Sequence, residues 1–502
     1  MVGYRVESER ATASTAYASP SDFAPPLPPP LPPVPPPPHL LRCNTGASAR
    51  ISSLQSTVNK LPILPGSDFL LRKRVFRKIR GFRAMAAVLF TAIAGVTHQA
   101  DAASVAWTGT GTAGTWTTDT NWSSGALPTS SDSVFLNNGA SANLPSGSGA
   151  AGTLYIGDSG TGLLNVDGGN LTCSNGVSTI GNGDGSIGTA NIGSGTWVNS
   201  GDLWVGSNSG TGTLNISGGA VTNQTCYIGS LGMGTVTVSG GTWANNGELV
   251  VGIPFFGPGT GTLNITGGIV TVISGTGTVY LAIDAGSKGT LNLGTGSTVG
   301  TLSANTVTGG GGTATVNFNH TGDYAFASNM TGSVAVNKLG DGRTILIGNN
   351  NYTGTTTISS GTLQIGDGTT DGSIAKSSKI VNNAALVYNT AQSGTAGSVI
   401  SGNGQLTKVG AGTLTLSASN TYTGVTTISV GTLQIGDGTT DGSIASSSII
   451  VNNASLVYNT AHSVTAENVI SGNGKLTKAG AGCLRSARAT AIAVRRPSPP
   501  AR

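Results

Sequence analysis

Two aspartates four residues apart, Asp367 and Asp371 in GDGTTDGS, recur seventy residues later as Asp437 and Asp441. Carboxylates at this spacing, with backbone oxygens between them, are ligands that a calcium ion accepts. The tandem nonapeptide GGxGxDxUx is missing, however, and aspartate beside glycine is also ordinary turn chemistry, its side chain bonding the local backbone. The expected role is the turn, so no metal ligand is assigned. The histidines His39, His98, His320 and His462 share no motif, and HExxH, GxSxG and phosphate-binding loops are absent. A lyase or glycosidase acting on polysaccharide would need paired carboxylates, or an acidic calcium cluster beside a Lys/Arg base. The span 104–482 offers only 8 Lys/Arg against 15 Asp/Glu. No catalytic, cofactor or metal residue is therefore assigned, and no cofactor is expected. The same acidic balance lacks the clustered cations that nucleic acid requires.

The cysteines are as unpromising as metal ligands. Cys43, Cys173, Cys226 and Cys483 have no zinc-site spacing. Cys173 and Cys226 are expected as free thiols two coils apart, about 10 Å, which is beyond disulfide reach.

Whatever positions these residues is repetitive. From Gly361 to Lys408 and from Gly431 to Lys478, 40 of 48 aligned residues are identical. A fixed period over that length means one unit copied and stacked. Upstream, Ile156-Gly157, Ile180-Gly181, Val205-Gly206, Ile228-Gly229 and Val251-Gly252 recur every 23 to 25 residues. Between them, Leu164, Ala190, Leu214, Val236, Leu263 and Leu291 align in one column. Val166, Ile192, Ile216, Val238, Ile265 and Leu293 align in a second, and Asn165, Asn191, Asn215, Thr237, Asn264 and Asn292 stand between. Apolar–polar–apolar is strand alternation, with two residues inward and one outward. Stacked at about 4.8 Å per coil, the outward amides would form a hydrogen-bonded ladder over an aliphatic core. With 79 glycines, 5% aromatics and 9% charged residues, the chain suits short strands and tight corners rather than a thick globular core.

The expected fold is all-β, a right-handed parallel β-helix (β-solenoid) of about 24 residues per coil, with each 70-residue repeat making about three coils. Packed β-sandwiches are the alternative, but their strands would not repeat the same residues at a fixed short interval.

The flanks differ in kind. Residues 1–71 include PPLPPPLPPVPPPP and read as a disordered Pro-rich extension, consistent with a start codon assigned too early. Residues 72–102 have a basic run, thirteen apolar residues and Ala100-Asp101-Ala102, the anatomy of a signal peptide too short to span a bilayer. The mature chain is expected to begin at Ala103, with no membrane span. Trp107, Trp116 and Trp122 make 103–150 a Trp-rich N-terminal cap, a carbohydrate-stacking platform being the alternative. The solenoid of short coils follows over 151–335, and the long repeats over 336–482.

LTKVGAGTLTLSASNTYTGVTTISVGTL, from Leu406 to Leu433, carries Lys408, Gly410 and Gly412, then Asn420, Tyr422-Thr423-Gly424 and Gly431-Thr432-Leu433. This resembles the autotransporter-associated β-strand repeat (passenger-associated transport repeat) of type V secretion passengers. An earlier copy begins at Val336-Asn337-Lys338 and reaches Tyr352-Thr353-Gly354, departing at Asp341 and Arg343. The resemblance implies a secreted or outer-membrane-associated β-helical passenger, acting as a stalk or adhesin-like structural protein on an extracellular ligand, with carbohydrate among the candidates. No translocating barrel is visible, so it is expected to be missing or separate. Residues 483–502 abandon the Gly/Thr/Asn pattern for an aberrant basic, Pro-rich tail, and a frameshift or truncation is the expected cause.

Overall fold

The computed structural model describes residues 103–109, 114–253, 257–374, 377–486 and 491–492. All of these fall within one compact unit, 97–502. The Pro-rich extension and the leader lie outside the described residues. What is described is an all-β parallel solenoid of about 15 turns without an α-helix. Every ladder between named strands is parallel, as coils stacked in one direction require.

Each coil of the upstream half has three short strands at three sides, illustrated by Thr211–Ile216, Ala220–Asn223 and Cys226–Ser230. Each strand pairs with the equivalent strand one coil on, forming three columns. The first column holds the residues that the sequence aligns. Leu214 lies between Ala190 and Val236, and Ile216 between Ile192 and Val238, all fully buried. Both aliphatic columns run unbroken from Leu164 and Val166 to Leu291 and Leu293.

The amide ladder is longer than expected. Asn143 precedes Asn165, and Asn317 and Asn337 follow Asn292 in register. Side-chain amides donate down the stack, Asn165 Nδ2 to Asn143 Oδ1 at 2.7 Å, Asn191 to Asn165 at 2.8 Å and Asn215 to Asn191 at 2.9 Å. Beyond Thr237 the ladder resumes, from Asn264 to Thr237 Oγ1 at 3.2 Å and then through Asn292, Asn317 and Asn337. Each bond joins consecutive coils, so the ladder ties the stack along its length.

One expectation needs correction and one is refined. The 70-residue repeat is not a whole number of coils. Lys338 ends a strand of the first column, which continues through Ile358 and Asn382 to Ile400–Ser401. Lys408, its equivalent one repeat later, pairs with Tyr388 and Ile428 in the second column. Seventy residues therefore make three coils and about a third, and equivalent residues of the two copies face different sides. The physical reason is corner length, since partners in one column stand 20 residues apart at Phe318 and Lys338 but 28 apart at Ile265 and Leu293. Cys173 and Cys226 are free and two coils apart as expected, but they also occupy neighbouring columns.

The described residues beyond 482 continue the ladders. Leu484–Ser486 pairs with Val464–Ala466, and Ala491–Ile492 with Ser471 and Gly472. Ladder bonds are made by main chain, and Leu484 still supplies the apolar residue that Leu414 supplies one repeat earlier.

Candidate functional site

The acidic turns come first. Asp367 Oδ1 accepts from Thr369 N at 2.8 Å, Thr369 Oγ1 at 2.7 Å and Thr370 N at 2.6 Å. Asp437 makes the same three bonds with Thr439 and Thr440. The threonine hydroxyl, then the backbone amides, lower both carboxyls, that of Asp437 to about 2. Asp371 accepts from Ala391 N and Gln392 N one coil on. Asp441 accepts from Ala461 N at 2.7 Å and faces His462 Nδ1 at 2.8 Å. Asp367 and Asp437 accept N–H and O–H donors of their own turns, and Asp371 and Asp441 accept backbone N–H groups one coil on. Among the described residues no three His, Cys, Asp or Glu side chains lie close enough to hold a metal ion.

Of the other described residues with chemical potential, Cys483 is exposed and the rest are buried. His320 is fully buried with Nε2 2.8 Å from Thr344 Oγ1, and burial lowers its pKa. Burial likewise pushes the Cys173 thiol up to about 11 and raises that of Cys226, so neither is poised as a nucleophile. His39, His98 and Cys43 lie outside the described residues. Trp107, Trp116 and Trp122 pack edge to face, with centroids 4.8 and 4.7 Å apart and Trp122 Nε1 donating to the Trp116 carbonyl. All three are buried, so their rings present no open platform for a sugar.

Two features escaped the sequence reading. Lys338 and Lys408, the first matched residues of the resemblance, are fully buried in the core. Their Nζ groups donate to the carbonyls of Gly340 and Gly410, which begin the turns that follow. The signal was available, because Val336-Asn337-Lys338 alternates in, out, in. Desolvation lowers the Lys338 pKa to about 8 and lowers that of Lys408. Burial also raises the hydroxyls of Tyr352, Tyr388 and Tyr422.

These shifts set a pH dependence. Between about pH 8 and the ordinary lysine value of 10.5, the unfolded chain holds a proton that folded Lys338 has lost, so stability rises with pH. Above about pH 10 the unfolded tyrosines ionise while the folded ones stay protonated, so stability falls. Unfolding free energies from urea titration are expected to peak near pH 10, about 2 kcal/mol above neutral pH. Lys338→Met should remove much of the rise, and a flat profile in the unmutated chain would refute the assignment.

The second missed feature is a file of outward-parity residues on the third column, in register from Phe135 through Tyr155, Thr179, Trp204, Tyr227 and Val250 to Tyr280, of which Thr179 and Val250 are covered by their neighbours and buried. Phe135 and Tyr155 stack with centroids 4.7 Å apart and planes 6° apart. Trp204 and Tyr227 lie 4.9 Å apart. The signal was the residue preceding each Ile-Gly or Val-Gly, which outward parity turns to the surface of the sheet.

With three strand columns, buried lysines and stacked outward side chains in place, residues 336–365 and 406–435 each match the passenger-associated-transport-repeat family model. The chain is autotransporter passenger-like, a β-solenoid carrying two such repeats. It is also 35% identical over 177 residues to the adhesin BmaC autotransporter of Brucella suis biovar 1 (strain 1330), covering 30% of this chain and 5% of that protein. The chain thus spans a small fraction of that relative's length. No solved structure matches.

Proposed function

We propose that this chain is a non-enzymatic, surface-displayed passenger with an adhesin-like role. The observation that carries the reading is the coincidence of both repeat matches with an uninterrupted parallel stack whose acidic turns are closed by their own hydrogen bonds. Similarity to an autotransporter adhesin supports it. In this reading 72–102 is the export leader, the buried tryptophans of 103–150 close the first coils, and later coils extend the stack from the cell. Outward side chains, including the stacked Phe135 and Tyr155, supply lateral contact surface for a ligand outside the cell. Among the described residues no helix is long and apolar enough to cross a membrane.

Proteinase K added to intact cells tests display, and a deletion strain tests attachment to extracellular-matrix-coated plates. The chain is expected to be lost to the protease without lysis, and attachment to fall several-fold. A protected chain overturns the placement. Release of unsaturated or reducing ends from pectin, alginate or heparin by the purified chain would overturn the non-enzymatic reading.

A further inference from the structure

The outer face of the first column carries a second file beside the amide ladder. Two residues before the ladder position stands a threonine on six consecutive coils: Thr189, Thr213, Thr235, Thr262, Thr290 and Thr315. They pair one to the next with no register shift. All six are half-buried, as outward residues of a sheet are. A β-branched side chain has few χ1 choices, so such a file repeats nearly the same hydroxyl and methyl at every coil. The hydroxyls of this file bond no other described residue. The ladder amides bond one another, as Asn191 does to Asn165 and Asn215 to Asn191, which leaves each an N–H and a lone pair toward solvent.

The two files stand about 6.6 Å apart along the strand, and successive coils about 4.8 Å apart. The face is therefore a rectangular grid of hydroxyls, methyls and amides. Neither file contains a charged residue or an aromatic ring, Lys288 standing two residues before Thr290 at the grid's edge. A polyanion would need cations in the grid, and a glycan would need rings to stack on. Five coil intervals make the grid about 24 Å long and about 7 Å wide, far below the roughly 800 Å² per partner that a stable protein interface buries. A neutral face periodic in two directions matches a neutral partner periodic in two directions. Water oxygens on the prism face of hexagonal ice form a rectangular net of closely similar spacing. The other faces lack such a grid: the second column sets Ala220 between Thr196 and Thr242, and the third mixes rings with Thr179 and Val250.

We propose that the first-column face over 189–315 binds ice. Threonine hydroxyls and the free amide groups hold a layer of water by donating to it and accepting from it, and the methyls seat between those waters. The stacked coils fix the spacing of that layer, which then joins the growing lattice. The site is independent of the passenger reading, since it rests on the register and composition of one face.

Thermal hysteresis of the purified full chain, the gap between melting and freezing of a single ice crystal, tests this, together with enrichment of the chain in slowly grown ice. A measurable gap with faceted crystals is expected, and enrichment with it. Thr213→Tyr combined with Thr262→Tyr raises two rings above the grid, and both readouts should fall several-fold while the urea midpoint stays near the parent's. Thr222→Tyr, at an outward position of the second column, should change neither readout. Should the double variant fail to fold, Thr235→Lys sets one hydrated cation on the grid and should give the same loss. A parent chain with neither hysteresis nor enrichment overturns the proposal. Parent-like activity in a folded double variant or in Thr235→Lys overturns it too. A loss in Thr222→Tyr as large as in the double variant overturns the assignment to this face.

Discussion

Ile216→Asp is expected to cost about 4 kcal/mol or more, while Thr237→Asp, one coil on, costs under about 1. Ile216 sits inward between Ile192 and Val238 with no exposed surface. A carboxylate there would be buried in an aliphatic column, with no cation or donor side chain among the column's members. It would either protonate or force the coil open, and the methyl groups it replaces would leave a void in both interfaces. Thr237 is half-buried in the outward ladder, where it accepts from Asn264 Nδ2. An aspartate oxygen can accept the same bond, with its second oxygen toward water. Stability in a stack is roughly a sum over coils and their interfaces. The damage should therefore appear as early local unfolding, read by hydrogen exchange of 187–265 as well as by urea titration. Similar losses at the two positions would show that inward and outward have been exchanged.

That pair was legible in the sequence because strand parity is strict. Once Leu214-Asn215-Ile216 is a strand, its register with Ala190-Asn191-Ile192 follows from pattern alone, and the amide ladder with it. The phase of the long repeat was not legible. Identity between 361–408 and 431–478 says that the local structure is copied, but the side a copy faces depends on summed corner lengths, which range widely between coils. A seventy-residue unit of three coils and a third looks in sequence like one of three coils. The Asp367 and Asp437 turns were legible from Asp beside Gly, because an Asx turn is a local structure made within four residues, whereas the Asp371 and Asp441 bonds reach the next coil. The buried lysines were not, because burying an ammonium runs against composition rules even when parity demands it.

The second large effect comes from main chain alone. Gly212→Val is expected to cost about 4 kcal/mol or more, although it removes nothing and adds only apolar atoms. A Cβ at Gly212 would lie 2.2 Å from the Gly206 amide nitrogen and 2.2 Å from the Ile180 carbonyl oxygen. Gly206 in turn has φ +71°, and its own Cβ would lie 2.0 Å from the Met233 carbonyl. The Val-Gly dipeptide of one coil thus turns a corner into which the next coil's glycine fits, backbone against backbone. This is why the Ile-Gly and Val-Gly pairs recur at the coil interval, and no rotamer change in a neighbour can relieve the overlap. Gly394→Val is the internal control, since the same substitution there meets open space and should be neutral or stabilising. The two variants differ in sign only if the solenoid corners are packed as described. Comparing their urea midpoints with the parent chain's decides the matter, and a Gly212→Val chain as stable as the parent would mean that the coils do not close on these glycines.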